Sequence, residues 1–343
     1  MSDSLINKGD IAQHAAAESI DRSAYLPATP WLQLMLVCCL FALWGMAGNL
    51  NDILIAQFKK GFDLSDTQTA LVQSIFFLGY FVMALPAAAV IKRYSYKVAI
   101  VIGLCLYALG CFLFIPAAQI MTYGAFLACL GVIATGLSFL ETSANTYSSL
   151  LGPLETSTQR INFSQIFNSL GIIFGVLIGQ QLVFGKNDPS HAELLQMPPA
   201  VAEAARTQMV SQVVTPYLII GSVLIVLALI FVAVKFPACK TQRSHQGAGK
   251  PLMQSLKILL ALPRFRLGVL SQFLYVGAQV GLWSFTIRFV QMIEQGATEH
   301  SATYWLLATL VCYSAGKVVT TALMKKFSPA RLLGVFCSVW VLL

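Results

Sequence analysis

Charged side chains are scarce in this 343-residue sequence: Asp, Glu, Lys and Arg make up 10% of it, against 57% hydrophobic residues. A soluble domain carries roughly 25% charged and about 45–50% apolar residues, so an ordinary water-facing surface is excluded. Nucleotide-binding machinery is lacking too. Gly249-Lys250 runs into Pro251, and Ser244 stands where the first glycine of a phosphate-binding loop belongs, so no ATP cradle is expected. The eight cysteines form no Cys-x-x-Cys pair and share no metal-ligand spacing with the four histidines. Cys38, Cys39, Cys105, Cys111, Cys129, Cys312 and Cys337 sit in apolar runs, where a thiol behaves as a small hydrophobe. No histidine lies in a clear apolar run, and no Ser/His/Asp or Cys/His set marks a buried hydrolase. The reading is therefore not an enzyme, with no cofactor and no metal. The net charge of +8 is spread over short loops rather than gathered in a stripe, so the partner it implies is a lipid bilayer and not nucleic acid.

What is abundant is apolar sequence in runs of about 20 residues, the length that crosses a hydrocarbon layer as helix. Spans are expected at Trp31–Gln57, Leu71–Ile91, Val98–Ala118, Met121–Leu151, Ile161–Phe184, Val213–Val234, Leu267–Ile293 and Thr303–Met324. A ninth begins near Leu332 and reaches Leu343, a rise of only about 18 Å. The loops after the even-numbered spans hold fourteen Lys and Arg, from Lys92 to Arg331, whereas the other side holds only Lys59, Lys60, Lys186 and Arg206. That bias puts the N-terminus in the cytoplasm. Residues 1–30 lack the basic start of a signal peptide and read as a mobile cytoplasmic tail. Residues 31–234 read as a six-helix bundle, 235–266 as a polar, basic cytoplasmic linker, and 267–343 as an incomplete second bundle.

A weak internal repeat supports this division. Ile91-Lys92-Arg93-Tyr94-Ser95 resembles Met324-Lys325-Lys326-Phe327-Ser328 at an offset of 233 residues, each following the second span of its half. With that offset Leu343 corresponds to Gly110, inside the third span. The fold expected is thus all-α and polytopic, two parallel six-helix repeats with the second truncated in its third helix. In such folds the ligand site lies between the halves at mid-membrane.

Carboxylates inside apolar spans cost several kcal/mol unless they face a polar interior. Asp52, late in the first span, and Glu141, well inside the fourth, are therefore functional candidates. Asp52 also reads as a residue of the outer membrane boundary. Ser138, Glu141, Asn145 and Ser148 fall on one helical face, as do Gly45, Gly48, Asn49 and Asp52. Gln165 and Asn168 share a face of the fifth span, and Gln272, Tyr275, Gln279 and Trp283 one of the seventh. Such stripes also arise as hydrogen-bonded contacts between helices. Four together, rich in amides and flanked by aromatic rings, suit a neutral polyhydroxy ligand, because an amide both donates and accepts and a ring stacks on an apolar sugar face. Arg288 and Lys317 read first as cations snorkelling to headgroups.

At these residues the chain resembles a known family. Asn49-Leu50-Asn51-Asp52-Ile53-Leu54, Leu140-Glu141-Thr142, Phe167-Asn168-Ser169 and Tyr275-Val276-Gly277-Ala278-Gln279 are similar to the bacterial L-fucose permeases, and more broadly to the fucose–galactose–glucose:proton symporters of the major facilitator superfamily. The resemblance runs from about Trp31 to the C-terminus. It implies twelve helices, alternating access and an inner-membrane monomer that carries a sugar with a proton as coupling ion. It assigns proton handling to Asp52 and Glu141. Trp44, Gln165 and Asn168 match its cavity residues, and polar residues of the first, fourth, fifth and seventh helices, Asn51 and Asn145 among them, would contact sugar. Gly48 stands where an L-fucose permease has another Asn, and Thr146 replaces the usual Pro after Asn145. The rival readings are a truncated, non-transporting membrane protein, a scaffold or sensor, and a symporter for N-acetylglucosamine or another sugar.

Overall fold

The computed structural model describes residues 24–182, 193, 196–239, 252–294 and 299–342, and every regular element among them is helical. In chain order they are α1 Trp31–Gly61, α2 Asp66–Arg93, α3 Tyr96–Phe112, α4 Phe114–Ile120, α5 Tyr123–Leu150, α6 Ser157–Leu182, α7 Pro199–Gln212, α8 Val214–Ala233, α9 Leu252–Ala261, α10 Pro263–Ile293, α11 Glu299–Leu323 and α12 Pro329–Leu342. Trp31–Gly48, Thr67–Arg93, Tyr96–Ile120, Tyr123–Leu150 and Pro199–Ala233 are long and apolar enough to cross a bilayer. The other expected spans coincide with α6, α10 and α11, helices of 26, 31 and 25 residues.

Two spans are broken by proline. α3 ends at Phe112 and α4 starts at Phe114, because Pro116 has no N–H to give the Phe112 carbonyl four residues back. By the same rule Pro216 leaves the Gln212 carbonyl without a donor, and α7 gives way there to α8. This sixth span starts earlier than its apolar run. α7 opens at Pro199 and buries Ala202, Met209 and Val210, while Arg206 pairs with Asp63 at 3.6 Å beyond the end of α1. Ser65 starts α2 with a reciprocal cap: its hydroxyl accepts from the Gln68 N–H at 3.3 Å, and the Gln68 side chain accepts from the Ser65 N–H at 3.0 Å.

Within the first bundle α1 packs along α6, and α5 along both α2 and α3. Small residues allow the approach, as they do between helices in lipid. A Cβ on Gly171 would run into the Ala42 carbonyl, and one on Gly45 into the Asn168 carbonyl. On the α3–α5 crossing, a Cβ on Gly136 would stand 2.7 Å from the Gly103 oxygen. Tyr107, Tyr147, Phe41, Phe58, Phe114 and Phe126 fill the interior completely buried. Large apolar side chains stay open on α2: Phe77, Leu78 and Phe81 are exposed, Phe81 with 81% of its surface.

The end of the bundle where α1 begins, here called the N-side, is tied by polar contacts. The buried Arg160 guanidinium donates to the Pro153 carbonyl at 2.8 Å, the Thr156 hydroxyl at 2.6 Å and the Ser148 carbonyl at 3.3 Å, joining α5 to α6. Residues 24–30, which belong to the expected tail, are docked here: Ala24 is buried, and the Leu26 N–H donates to the Leu150 carbonyl at 3.3 Å. Residues 1–23 lie outside the described residues. The first residues of the expected linker are held as well. Gln33 donates to the Lys235 carbonyl at 3.1 Å and the Tyr147 hydroxyl to the Pro237 carbonyl at 2.7 Å, and just ahead of them Lys97 ties the end of α8 by donating to the Val232 and Val234 carbonyls, both at 2.9 Å. The linker also contains α9, and α10 starts with Pro263 in its first turn, four residues ahead of the apolar run. α10 and α11 pack on each other, and α11 packs on α6.

Candidate functional site

The polar stripe of α5 divides by depth. Towards the N-side, Ser148 meets the Ser164 hydroxyl of α6 at 2.7 Å, and Cys38 of α1 donates to Ser164 at 3.5 Å. This buried run fastens three helices. Farther along α5, Ser138, Glu141, Thr142, Asn145 and Thr146 line a cavity of about 530 Å³ whose other wall is Phe77, Tyr80, Phe81 and Ala84 of α2. Ser138 donates to the Tyr80 carbonyl at 3.1 Å, which ties the two walls together.

Glu141 is the acid in that lining, nine residues from the end of α5 at Leu150. Among the described residues its carboxylate accepts no side-chain hydrogen bond. Close by, the Tyr80 hydroxyl is buried beside Glu141 and Trp44 and has no close hydrogen-bond partner among the described residues. A carboxylate and a phenol left unmatched beside a cavity are the open valences that a bound polar molecule, or a proton on Glu141, would fill.

From Glu141 a run of amides leads toward the second bundle. The Asn145 amide donates to the Glu141 carbonyl at 3.1 Å, and the Gln165 amide of α6 donates to the Asn145 side-chain oxygen at 3.2 Å. The Gln165 carbonyl accepts from Lys317 of α11 at 3.5 Å. Lys317 lies over the Tyr313 ring, 4.3 Å from its centroid, and the Gln279 amide of α10 donates to the Tyr313 hydroxyl at 3.4 Å. One connected set of side-chain and main-chain groups thus joins α5, α6, α11 and α10.

The structure brings Asn145, Gln165 and Gln279 into this set, with Glu141 joined through its main-chain carbonyl. It places Asn168 elsewhere: that side chain is buried and donates to the Phe41 carbonyl at 3.3 Å, at the α1–α6 crossing. Trp44 packs on Phe41 with ring centroids 6.1 Å apart. Gln272 and Tyr275 are exposed on α10. Asn49, Asn51 and Asp52 lie on α1, and Trp283 and Arg288 on α10, but their side chains fall outside the described residues. Tyr80 and Tyr313 are the participants that pattern reading passed over. Lys317 turns across to α6, with its ammonium over the Tyr313 ring and on the Gln165 carbonyl.

A family model described as Major Facilitator Superfamily matches residues 25–343. The L-fucose-proton symporter of Escherichia coli is 38% identical over 325 residues, covering 94% of this chain and 74% of that protein. A glucose/galactose transporter of Brucella abortus is 36% identical over 275 residues, covering 78% and 61%. A crystal structure of the E. coli fucose:proton symporter superposes with a TM-score of 0.79 at 40% identity, over 89% of this chain and 74% of that one. A D-xylose-proton symporter, 12% identical with a TM-score of 0.51, shares the fold alone. The all-helical, apolar architecture and these matches agree: the chain belongs to the major facilitator superfamily of multi-pass membrane transporters.

Proposed function

We propose that the chain carries a neutral hexose of the L-fucose, galactose or glucose kind together with a proton, by alternating access between two bundles. The observation that carries this reading is Glu141 on a cavity wall next to the Asn145–Gln165 amide pair. A protonated carboxyl is neutral and passes an apolar constriction at little cost, whereas its ionised form costs several kcal/mol there. A proton on Glu141 therefore biases which way the cavity opens, and amides that donate and accept hold the sugar hydroxyls. In this reading Asp52 takes the proton at the far end of α1, and Trp44, Asn49, Asn51, Gln272, Tyr275, Gln279 and Trp283 complete the sugar path, with Asn168 reaching it only if its bond to the Phe41 carbonyl opens during the cycle. The N-side is cytoplasmic, the membrane is the bacterial inner membrane, and a monomer suffices because both bundles are parts of one chain. The relatives named above are symporters or transporters of fucose, glucose and galactose, which supports the substrate class.

The test is uptake of labelled hexose by proteoliposomes holding the chain under an inward proton gradient. Accumulation should collapse with a protonophore. Glu141→Gln should abolish accumulation and leave sugar exchange between the two sides. Accumulation against a gradient by the Gln variant would remove Glu141 from coupling. Absence of gradient-driven hexose uptake by the parent chain would remove the reading itself.

A further inference from the structure

The seam between the bundles runs along α6 and α11, and polar contacts cross it at two depths. Near the N-side the Gln159 amide donates to the Thr321 carbonyl at 3.4 Å. One helical turn deeper, Lys317 donates to the Gln165 carbonyl from its place over the Tyr313 ring. An ammonium inside a membrane protein is costly unless it is paired or reaches water. Among the described residues no carboxylate pairs with Lys317. A π face and a carbonyl dipole stabilise it instead, both of which favour a cation. The end of α11 is only six residues away, within reach for a snorkelling side chain, yet the ammonium points across the seam.

The group it meets is the node of the amide set. Gln165 gives its side chain to Asn145 and its main-chain oxygen to Lys317, so the position of α11 is passed to the amide pair below the cavity. Glu141, Gln165 and Lys317 lie nine, eight and six residues from the N-side ends of their helices, a common depth of about 9–14 Å. We infer that Lys317 is a positioning residue: it holds α11 on α6, keeps the N-side ends of the bundles closed, and sets Gln165 for sugar. The sugar half of this inference rests on the proposed symport; the closure half does not.

Two substitutions separate charge from shape. Lys317→Met keeps the stem and removes the donor, and Lys317→Arg keeps a cation that can donate. Closure is read from Gln159→Cys with Thr321→Cys in the full chain, using a short thiol cross-linker and mass spectrometry of the joined peptides. Losing one charged hydrogen bond should lower the linked fraction about fivefold in the Met variant and leave it within about twofold in the Arg variant. In equilibrium exchange the hexose half-saturation concentration should rise about tenfold with Met, with little change in maximal rate, and recover with Arg. A Met variant that links as fully as the parent overturns closure, and one with unaltered half-saturation overturns positioning. If the parent exchanges no hexose, the sugar reading fails while the linked fraction still decides closure. Should the Met variant not reach the membrane, Tyr313→Leu, which strips the ring from under the lysine, must lower the linked fraction too; an unchanged fraction overturns the inference.

Discussion

Gly48 has room around it that its neighbour Gly45 lacks. A Cβ built on Gly45 meets the Asn168 backbone of α6, whereas one on Gly48, a turn further along α1, meets nothing within 4 Å. Gly48 is also where the resemblance places an Asn in L-fucose permeases. An Asn there loses no packing and gains slightly in helix propensity over Gly, so Gly48→Asn should fold and insert like the parent. It adds a donor and an acceptor on the helix that bears Asn49 and Asp52. One such hydrogen bond shifts the relative affinity for two sugars by about tenfold. A competition panel of fucose, galactose, glucose and N-acetylglucosamine should therefore move toward fucose. An identical ranking in parent and variant would take Gly48 out of substrate selection. Arg160 is a different lesson at this scale. Read in sequence it is one more loop cation setting topology, but the structure buries it as the link between α5 and α6. Topology needs only a charge on one side, so the sequence bias does not distinguish a solvated guanidinium from one that organises a turn.

Among the elements, α1 and α6 make the closest long contact, and it depends on absent side chains. Gly171→Leu forces a branched side chain against the Ala42 carbonyl, so the helices must separate. Overpacking of this kind costs about 1–3 kcal/mol, and it should lower the melting midpoint of the purified chain in detergent. Gly268→Leu, on an exposed stretch of α10 with nothing within 4 Å of an added Cβ, is the control and should leave the midpoint unchanged. Equal midpoints for the two variants would show that the crossing is not set by Gly171. Most elements were legible because length and apolarity alone decide whether a helix crosses a bilayer. The breaks at Phe112 and Gln212 were legible in principle, four residues before Pro116 and Pro216, yet runs of apolar sequence conceal them. α7 was not legible. Its residues are polar and weakly patterned, and its burial and ion pair are with α1 and Asp63, contacts that no local pattern encodes. Residues 235–239 likewise read as free linker, because the groups that hold them, Gln33 and Tyr147, are distant in sequence.

For the whole molecule, the stripes put residues on a common face but do not say what each of them meets. Periodicity puts Ser138, Glu141, Asn145 and Ser148 on one face, but it cannot say that Ser148 meets α6 while Glu141 meets a cavity. Nor does it fix the rotation of α11, which decides whether Lys317 faces lipid or α6. Depth along the helices is the part that periodicity does give, and it supports a prediction about coupling. Asp52 is nine residues from the far end of α1, and Glu141 is nine from the N-side end of α5. Two carboxyls near opposite ends of the transport path can load a proton on one side and release it on the other, each titrating against its own compartment. In the proposed symport, Asp52→Asn removes only the first of these stations. Uptake driven by an inward proton gradient should fall, and its dependence on external pH should change shape, while exchange of sugar without a gradient persists. Glu141→Gln differs by losing accumulation at every external pH. The comparison uses one preparation of vesicles, with external pH varied at fixed internal pH. An Asp52→Asn chain with the parent's rate and pH profile would leave Glu141 as the sole coupling carboxylate and place Asp52 at a membrane boundary.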